Sequence, residues 1–490
     1  MTHLQVSGMA VVLAQVVCLG SAAIAAAAEP LDKAAMLRTI EARADETWRA
    51  ALDLWEWAEP GYQETRSAER LAVILEARGF RVTRGVADIP TAFVATFGRG
   101  EPVLGILAEY DALPGLSQQA VPERRPREGG GYGHACGHHL FGAASVAAAL
   151  AVADALESGA LAGTVKLYGT PAEEGGSAKV FMARAGLFEG VDAVLHWHPA
   201  DRNAAGDPTN MARVAAKFRF HGRSAHAAAS PELGRSALDG VELMNHAAQL
   251  LREHTPDRTR IHHVITSGGG APNVVPDFAE VFYYVRHPDA AVARDLYRRL
   301  LLCAEGAATA TETELEIEYL GGTHNIVPND TLARVSLRNL RELVDIRYDD
   351  LEREFAQRLQ DTLERPRPLE DIANVHDESG QTSSGSTDVG DVSWLVPTTG
   401  VDVATWVPGT PAHSWQAVAA GGTTIGRQGM LLAARTLAAV AWDLFRDPET
   451  IAAARAELER RLAGTEYRYQ PLLELGQPPP LDYRKAPGGE

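Results

Sequence analysis

Four short runs carry the residues that most limit what this chain can fold into. Residues 133–139 read GHACGHH, in which Cys136 and His138 join a thiol to an imidazole at metal-ligand spacing. Residues 169–176 read GTPAEEGG, with Glu173 and Glu174 adjacent. Residues 194–199 read VLHWHP, with His196 and His198 at the end of a predicted strand, and residues 409–414 read GTPAHS, which supplies His413. Together they offer sulfur, nitrogen and oxygen donors suited to zinc or manganese, and one carboxylate to spare for proton transfer. A fold that uses all four must gather segments far apart in the chain.

The hydrophobic pattern supplies such a fold. Helix and strand signals alternate in the first half: Trp48, Leu52 and Trp55 fall on one helical face, as do Leu71, Ile74 and Leu75 before a stop at Gly79. Residues 92–97 and 103–107 read as buried strands, 118–131 as a polar loop, 142–156 as an Ala-rich helix, and 164–168 and 191–195 as further strands. The donors therefore fall where strands and loops meet helices, the usual place for an α/β site. From about residue 211 the texture changes to strand 214–220, helix 233–251, strands 261–266 and 280–286, helix 289–305 and strand 314–319. That βαββαβ order makes a small antiparallel sheet with two helices on one face. The α/β pattern returns near Asp330 and ends in helices at 423–444 and 449–462, so the small unit is inserted in the large one. The Pro-rich stretch 470–490 has no periodicity and reads as extended or poorly ordered.

With 490 residues, 46% of them hydrophobic, the chain has enough apolar surface for a large core and two domains. Its 64 acidic against 46 basic residues give a formal net charge of −18, which disfavours nucleic acid or an anionic membrane surface as a partner. Residues 11–28 are almost wholly apolar and end in small residues, with Ala26 to Ala28 in the Ala-x-Ala pattern, so the expectation is a signal peptide over 1–28, cleavage before Glu29, a periplasmic or secreted protein and no stable membrane association thereafter. Cleavage would leave Cys136 and Cys303. With Cys136 on a metal, no disulfide could form within one chain.

The ordered set AEYDALPG, GHACGHHLFG, GTPAEEGG, HWHP, GRSAHAA, NVVPD and GTPAHS resembles the metal-dependent amidohydrolases and exopeptidases that include aminoacylase and indole-acetyl-amino-acid hydrolase. It is most similar to the bacterial p-aminobenzoyl-glutamate hydrolase branch, through GHACGH, HWHP and GSTDVGDVS at 385–393. The resemblance spans about residues 31–462. It implies a large catalytic α/β domain with a mixed sheet flanked by helices, formed by 29–210 and 324–465. Residues 211–323 would be an inserted α+β lid with a four-stranded antiparallel sheet and two helices, which commonly makes the dimer contact, and 466–490 a Pro-rich tail.

It further implies two divalent metal ions per subunit, zinc or manganese, held by Cys136, His138, Glu174, His198 and His413, with Glu173 as general base. Register against the family favours His198 over His196 as the ligand. His226 of the lid would stabilise the tetrahedral oxyanion, in some members within the partner subunit's site, and Asn273 and Arg286 would hold polar substrate groups, Arg286 offering a fork for a carboxylate. Where the aminoacylase branch has His-x-Asp, this chain reads Glu109-Tyr110-Asp111, and Asp111 is expected to orient a ligating imidazole. Roles for Glu109, His139, Asp388 and Asp391 stay open.

The reaction so implied is hydrolysis of the amide bond of an N-acyl or N-aroyl amino acid, with a small-molecule substrate, no nucleic acid, and a homodimer or a paralogous subunit as partner. Two alternatives share the site. A dipeptidase, or a carboxypeptidase, would use the same two-metal site, the dipeptidase needing to recognise a free α-amine, for which the chain has no dedicated acidic pair; a non-catalytic subunit of a heteromeric hydrolase would have little use for both Glu173 and Glu174.

Overall fold

The computed structural model describes residues 1–3, 31–206 and 208–484. The apolar leader core and the expected cleavage point lie outside them. In chain order the first strands are β1 (Arg81–Arg84), β2 (Phe93–Arg99) and β3 (Val103–Ala108), then a ribbon of β4 (Leu113–Pro114) with β5 (Tyr132–Gly133) around the polar loop, then β6 (Gly163–Gly169), β7 (Ala193–Ala200) and β8 (Asn203–Ala205). The inserted unit holds β9 (Ala212–His221), β10 (Arg260–Ser267), β11 (Phe278–His287) and β12 (Glu314–Thr323). The chain then returns to the first sheet with β13 (Val375–Asp377) and β14 (Thr398–Ala404).

The large sheet is mixed and runs β1-β2-β6-β3-β7-β14-β8-β13, with β6, β3, β7 and β14 parallel at its centre. Those central strands are apolar on both faces, as a sheet covered by helices on both sides requires. The Ala-rich helix His138–Glu157 lies in the resulting core with nearly every residue buried. Its length and composition would suit a membrane span, but 94% of its apolar window is inside the protein.

The helix Ala44–Trp57 departs from the sequence reading. It buries Thr47, Ala50, Ala51 and Leu54, while Trp48, Leu52 and Trp55 are only half-buried on its flank. Small side chains win the inward face because they let this helix approach the Ala-rich helix His138–Glu157.

The second sheet, β10-β11-β9-β12, is antiparallel throughout, and the helices Ala237–Arg252 and Ala290–Thr311 pack on it around a separate apolar core. The first helix begins after Ser236, whose side chain accepts the Asp239 N–H, four residues later than the periodicity predicts, because Pro231–Leu233 forms a 3-10 turn instead.

Of the two expectations for the Pro-rich stretch, extended or poorly ordered, the described residues follow the first. Residues 466–484 lack helix and strand but run packed across both units: Leu472 enters the lid core, and Leu473, Leu481 and Tyr483 cover an apolar cluster of the large unit. Periodicity cannot register such a segment, because its apolar residues meet surfaces supplied by distant parts of the chain.

Candidate metal centre and substrate cleft

The site forms at the carboxyl ends of the parallel strands, where an open α/β sheet exposes loops to one crevice. Glu109 to Asp111 follow β3, Glu173 and Glu174 follow β6, and His198 lies near the end of β7. Gly137 makes the turn between Cys136 and the helix that starts at His138: its φ is +74°, and a Cβ there would lie 2.5 Å from Pro199 Cβ. Only glycine lets the thiol and the imidazole approach β7 this closely.

Two donor groups share one sulfur. Cys136, His138 and His198 present ligand atoms within 4.8 Å of one another, and so do Cys136, Glu174 and His413; a third group joins Glu109, His138 and Glu173. Cys136 Sγ is 3.4 Å from His198 Nε2, and His413 Nε2 is 2.9 Å from Glu174 Oε1. His198 Nδ1 donates to the Pro199 carbonyl at 2.7 Å, so its Nε2 is left free to face the thiol. His138 Nδ1 donates to Asp111 Oδ1 at 2.8 Å, which aims its buried Nε2, otherwise without a hydrogen-bond partner, at the cluster. Asp111 Oδ2 accepts the Glu174 N–H at 2.9 Å, so one buried carboxylate fixes both an imidazole and the glutamate loop. His138 Nε2 also lies 3.2 Å from Glu109 Oε2, and this gathering of thiol, imidazoles and carboxylates fits a divalent ion.

The loop that carries the glutamates is held tightly. Ala172 and Ser177 on either side take left-handed φ values of +54° and +55°, as does His413 at +57°, conformations that cost energy for residues with a Cβ and persist only when their surroundings enforce them. Glu64 accepts the Ala172 N–H at 2.8 Å, and the Tyr62 hydroxyl donates to the Gly176 carbonyl at 2.7 Å.

Electrostatics separates the two adjacent glutamates. Burial, then the charges of Glu109, Glu174 and Asp388, push the Glu173 carboxyl well above the usual carboxylate range. Burial also pushes Glu174 upward, but the hydrogen bond from His413 and the charge of His138 outweigh it, and its pKa falls. One carboxylate is thus suited to holding a cation and its neighbour to accepting a proton.

The residues left open by sequence now have places. Glu109 Oε1 and Asp388 Oδ1 flank Lys179 Nζ at 2.7 and 2.6 Å, all three side chains buried. Burial pulls Lys179 down, but Asp388 and Glu109 outweigh it, so the ammonium stays charged. His139 points away from the cluster: its Nε2 donates to the Gly421 carbonyl at 3.1 Å and its ring lies 4.9 Å from that of His134. His196 is half-buried in the cleft wall against Gly400, outside the donor groups, and desolvation lowers its pKa to about 3. Asp391 holds His324 Nδ1 at 2.8 Å and takes the Tyr469 hydroxyl at 3.0 Å.

A cleft of about 940 Å³ opens over the donors and is lined by Arg286, Arg213 and Arg484. Arg213 and Arg286 are register partners on β9 and β11, and neither forms an ion pair among the described residues. His226 and Asn273 are not brought into this cleft. They sit together, exposed, on the lid: Ala227 N donates to the Asn273 carbonyl, and His226 Nδ1 accepts the N–H groups of Ala228 and Ala229. Sequence reasoning missed Lys179, Arg213, Arg484 and Glu64. For Lys179 a signal existed, a lysine beside the glutamate run in a chain whose basic residues are mostly arginine.

An α/β domain with sulfur, nitrogen and oxygen donors around an adjacent carboxylate, and a lid inserted above, defines a metal-dependent hydrolase of amide bonds. Residues 105–417 match the peptidase family M20/M25/M40, and the chain belongs to that family. It is 40% identical over 456 residues to one of the subunits of p-aminobenzoyl-glutamate hydrolase of Escherichia coli, covering 87% of this chain and 95% of the relative. It is 32% identical to the Xaa-Arg dipeptidase of Mus musculus over 84% of this chain and 88% of that one. Its fold is shared with a dinuclear metal-binding peptidase of the M20 family from Bacillus subtilis, at a TM-score of 0.58 and 18% identity over 83% of this chain and 99% of that one.

Proposed function

We propose that the chain releases an amino acid from an N-acyl or N-aroyl amide, with an aromatic acyl group as in the substrate named for the E. coli relative. The observation that carries this reading is Arg286: it lines the same cleft as the donor groups and has no carboxylate partner of its own among the described residues. A half-buried guanidinium without an anion loses part of its hydration uncompensated, and a substrate carboxylate supplies the partner through paired charge-assisted hydrogen bonds. The dipeptidase reading draws on the mouse relative; of the cleft's carboxylates, Glu378 is taken by Arg202 at 2.6 Å, while Asp402 forms no ion pair among the described residues, so the products of the assay below separate the two readings.

Cys136, His138, His198, Glu174 and His413 would hold two divalent ions, zinc or manganese. When bound, the metals lower the pKa of water and polarise the amide carbonyl. Glu173 takes the proton of the attacking water and delivers it to the departing amine nitrogen. Asp111 keeps His138 in the tautomer that leaves Nε2 free, and Lys179 balances the carboxylates of Glu109 and Asp388 beneath the cleft. Incubating purified protein, with added manganese or zinc, with N-aroyl amino acids and with unblocked dipeptides, and reading products by mass spectrometry, tests the assignment. Cleavage confined to the dipeptides overturns it.

The lid would complete the site in a partner subunit. His226 and Asn273 lie outside their own cleft, while Val264, Ile265 and Phe278 leave apolar surface exposed on β10 and β11. Light scattering should then give a dimer mass, and His226→Ala should lose turnover; a fully active monomer rejects both parts. The E. coli relative is named as one subunit of its hydrolase, which supports a variant in which the partner is a paralogous chain, and a homodimer that is fully active alone excludes it. Export to the periplasm or medium is proposed from the leader, with N-terminal sequencing of natively expressed protein expected to start near Glu29.

A further inference from the structure

Residues 466–484 join the two units before they reach the cleft. Tyr467 bonds His324 Nε2 at 2.7 Å, Tyr469 bonds Asp391, and the Leu472 carbonyl accepts the Gly322 N–H at 2.9 Å beside the end of β12. The segment then crosses to the large unit, where Arg184 donates to the Gln477 carbonyl at 2.7 Å and Gln63 to the Leu481 carbonyl at 2.8 Å. Tyr483 sets its ring edge-on to Tyr62, the residue that holds Gly176. Arg484 follows, and its Nη2 donates at 2.8 Å to the main-chain carbonyl of Glu174.

That one bond uses little of what the side chain offers. A guanidinium has five N–H donors in a fixed fork, and the Arg484 Nε is buried with no hydrogen-bond partner. No carboxylate lies within ion-pair distance of it among the described residues, and its planar face covers the Tyr483 ring at 5.1 Å. Arg213 shares these properties: its Nε is also buried and unpartnered, and its Nη2 reaches Ser177 Oγ at 3.2 Å, on the same glutamate loop. Arg286 is its register partner across β9 and β11. Like charges opposite one another on a sheet destabilise it, and an anion between them removes that cost.

We propose that Arg484 is a substrate-binding residue, carried into the cleft by the strap 466–484 to contact an anionic group of the substrate alongside Arg213 and Arg286. The proposal rests on the reading of the substrate as a carboxylate-bearing amide. Three guanidiniums that form no ion pair among the described residues, supplied by β9, β11 and the strap, line one cleft in a chain of net charge −18. Because the strap also binds the lid, substrate capture and lid position share one segment.

The test is Arg484→Ala in the otherwise full chain, metal-loaded, with N-benzoyl-glutamate and its uncharged diamide as probes. The expected result is a KM for N-benzoyl-glutamate raised about 10- to 100-fold, the loss of a charge-assisted hydrogen bond, with kcat and the KM for the diamide changed less than about 3-fold. Arg484→Lys should lie between, since an ammonium keeps the Glu174 bond but loses the fork. Equal effects on both probes, or a fall in kcat with lost metal, would mean that Arg484 only fastens the loop, and overturns the proposal. Calorimetry of N-benzoyl-glutamate binding to metal-loaded Glu173→Gln, with and without Arg484→Ala, gives a readout independent of turnover. If the wild-type protein cleaves neither probe, the functional reading falls and the calorimetric difference alone decides. Unchanged affinity on removing Arg484, or no binding to the parent, then overturns the role of Arg484 as well.

Discussion

Lys179 Nζ lies 2.6 Å from Asp388 Oδ1, a buried ion pair between residues 209 positions apart. The same ammonium reaches Glu109 Oε1 at 2.7 Å, so it ties the loop after β3, the helix after the glutamate loop and the Gly/Ser-rich segment before Val389 into one charged floor beneath the donor groups. Removing it leaves the buried carboxylates of Glu109 and Asp388 without their shared ammonium. Lys179→Met should therefore destabilise the fold by about 3–5 kcal/mol, read as a lowered midpoint in urea unfolding. A variant as stable as the wild type would show that the cluster is protonated and carries no charge.

Glu173→Gln should keep its metal and lose turnover by a factor on the order of 10²–10⁴, because the donors are untouched while the proton acceptor is gone. Single-turnover kinetics together with elemental analysis checks both halves. Normal turnover removes Glu173 from the role of base.

The wild-type pH profile follows from the same residue. A base must be deprotonated to act, and burial with the nearby Glu109, Glu174 and Asp388 raises the Glu173 pKa. The acid limb of kcat/KM should therefore lie above the ordinary glutamate value of about 4.3, with activity rising as pH rises through it. A limb at or below that value would show that Glu173 is not the group observed.

Cys136→Ala should lower metal occupancy in both donor groups that contain it, whereas His413→Ala should affect only the group it shares with Cys136 and Glu174. Elemental analysis after dialysis against a weak chelator reads the difference. Unchanged occupancy in both variants would reject the donor set.

Arg286→Lys should raise KM for a carboxylate-bearing N-acyl amino acid by about 10-fold or more, and for its neutral amide analogue far less, since an ammonium cannot copy the planar fork. Matching shifts in initial-rate assays of the two substrates would remove Arg286 from carboxylate recognition.

The sequence by itself determined the residue types that can bind metal, the order of the elements and the βαββαβ insertion, because hydrophobic period and donor chemistry are properties of short stretches. It also placed Glu173 beside Glu174, but not the opposite pKa shifts that separate them, which come from Glu109, Asp388 and His413 across the site. Whether Trp48 or Ala51 faces inward depended on the Ala-rich helix His138–Glu157 against which the segment packs. Tertiary structure alone turned His139 toward Gly421, paired Lys179 with Asp388, set Arg213 against Arg286 and laid an aperiodic tail across both units to bring Arg484 to the Glu174 carbonyl. Each of these rests on a surface assembled from distant segments, and neither period nor motif in a single stretch encodes the partner it will meet.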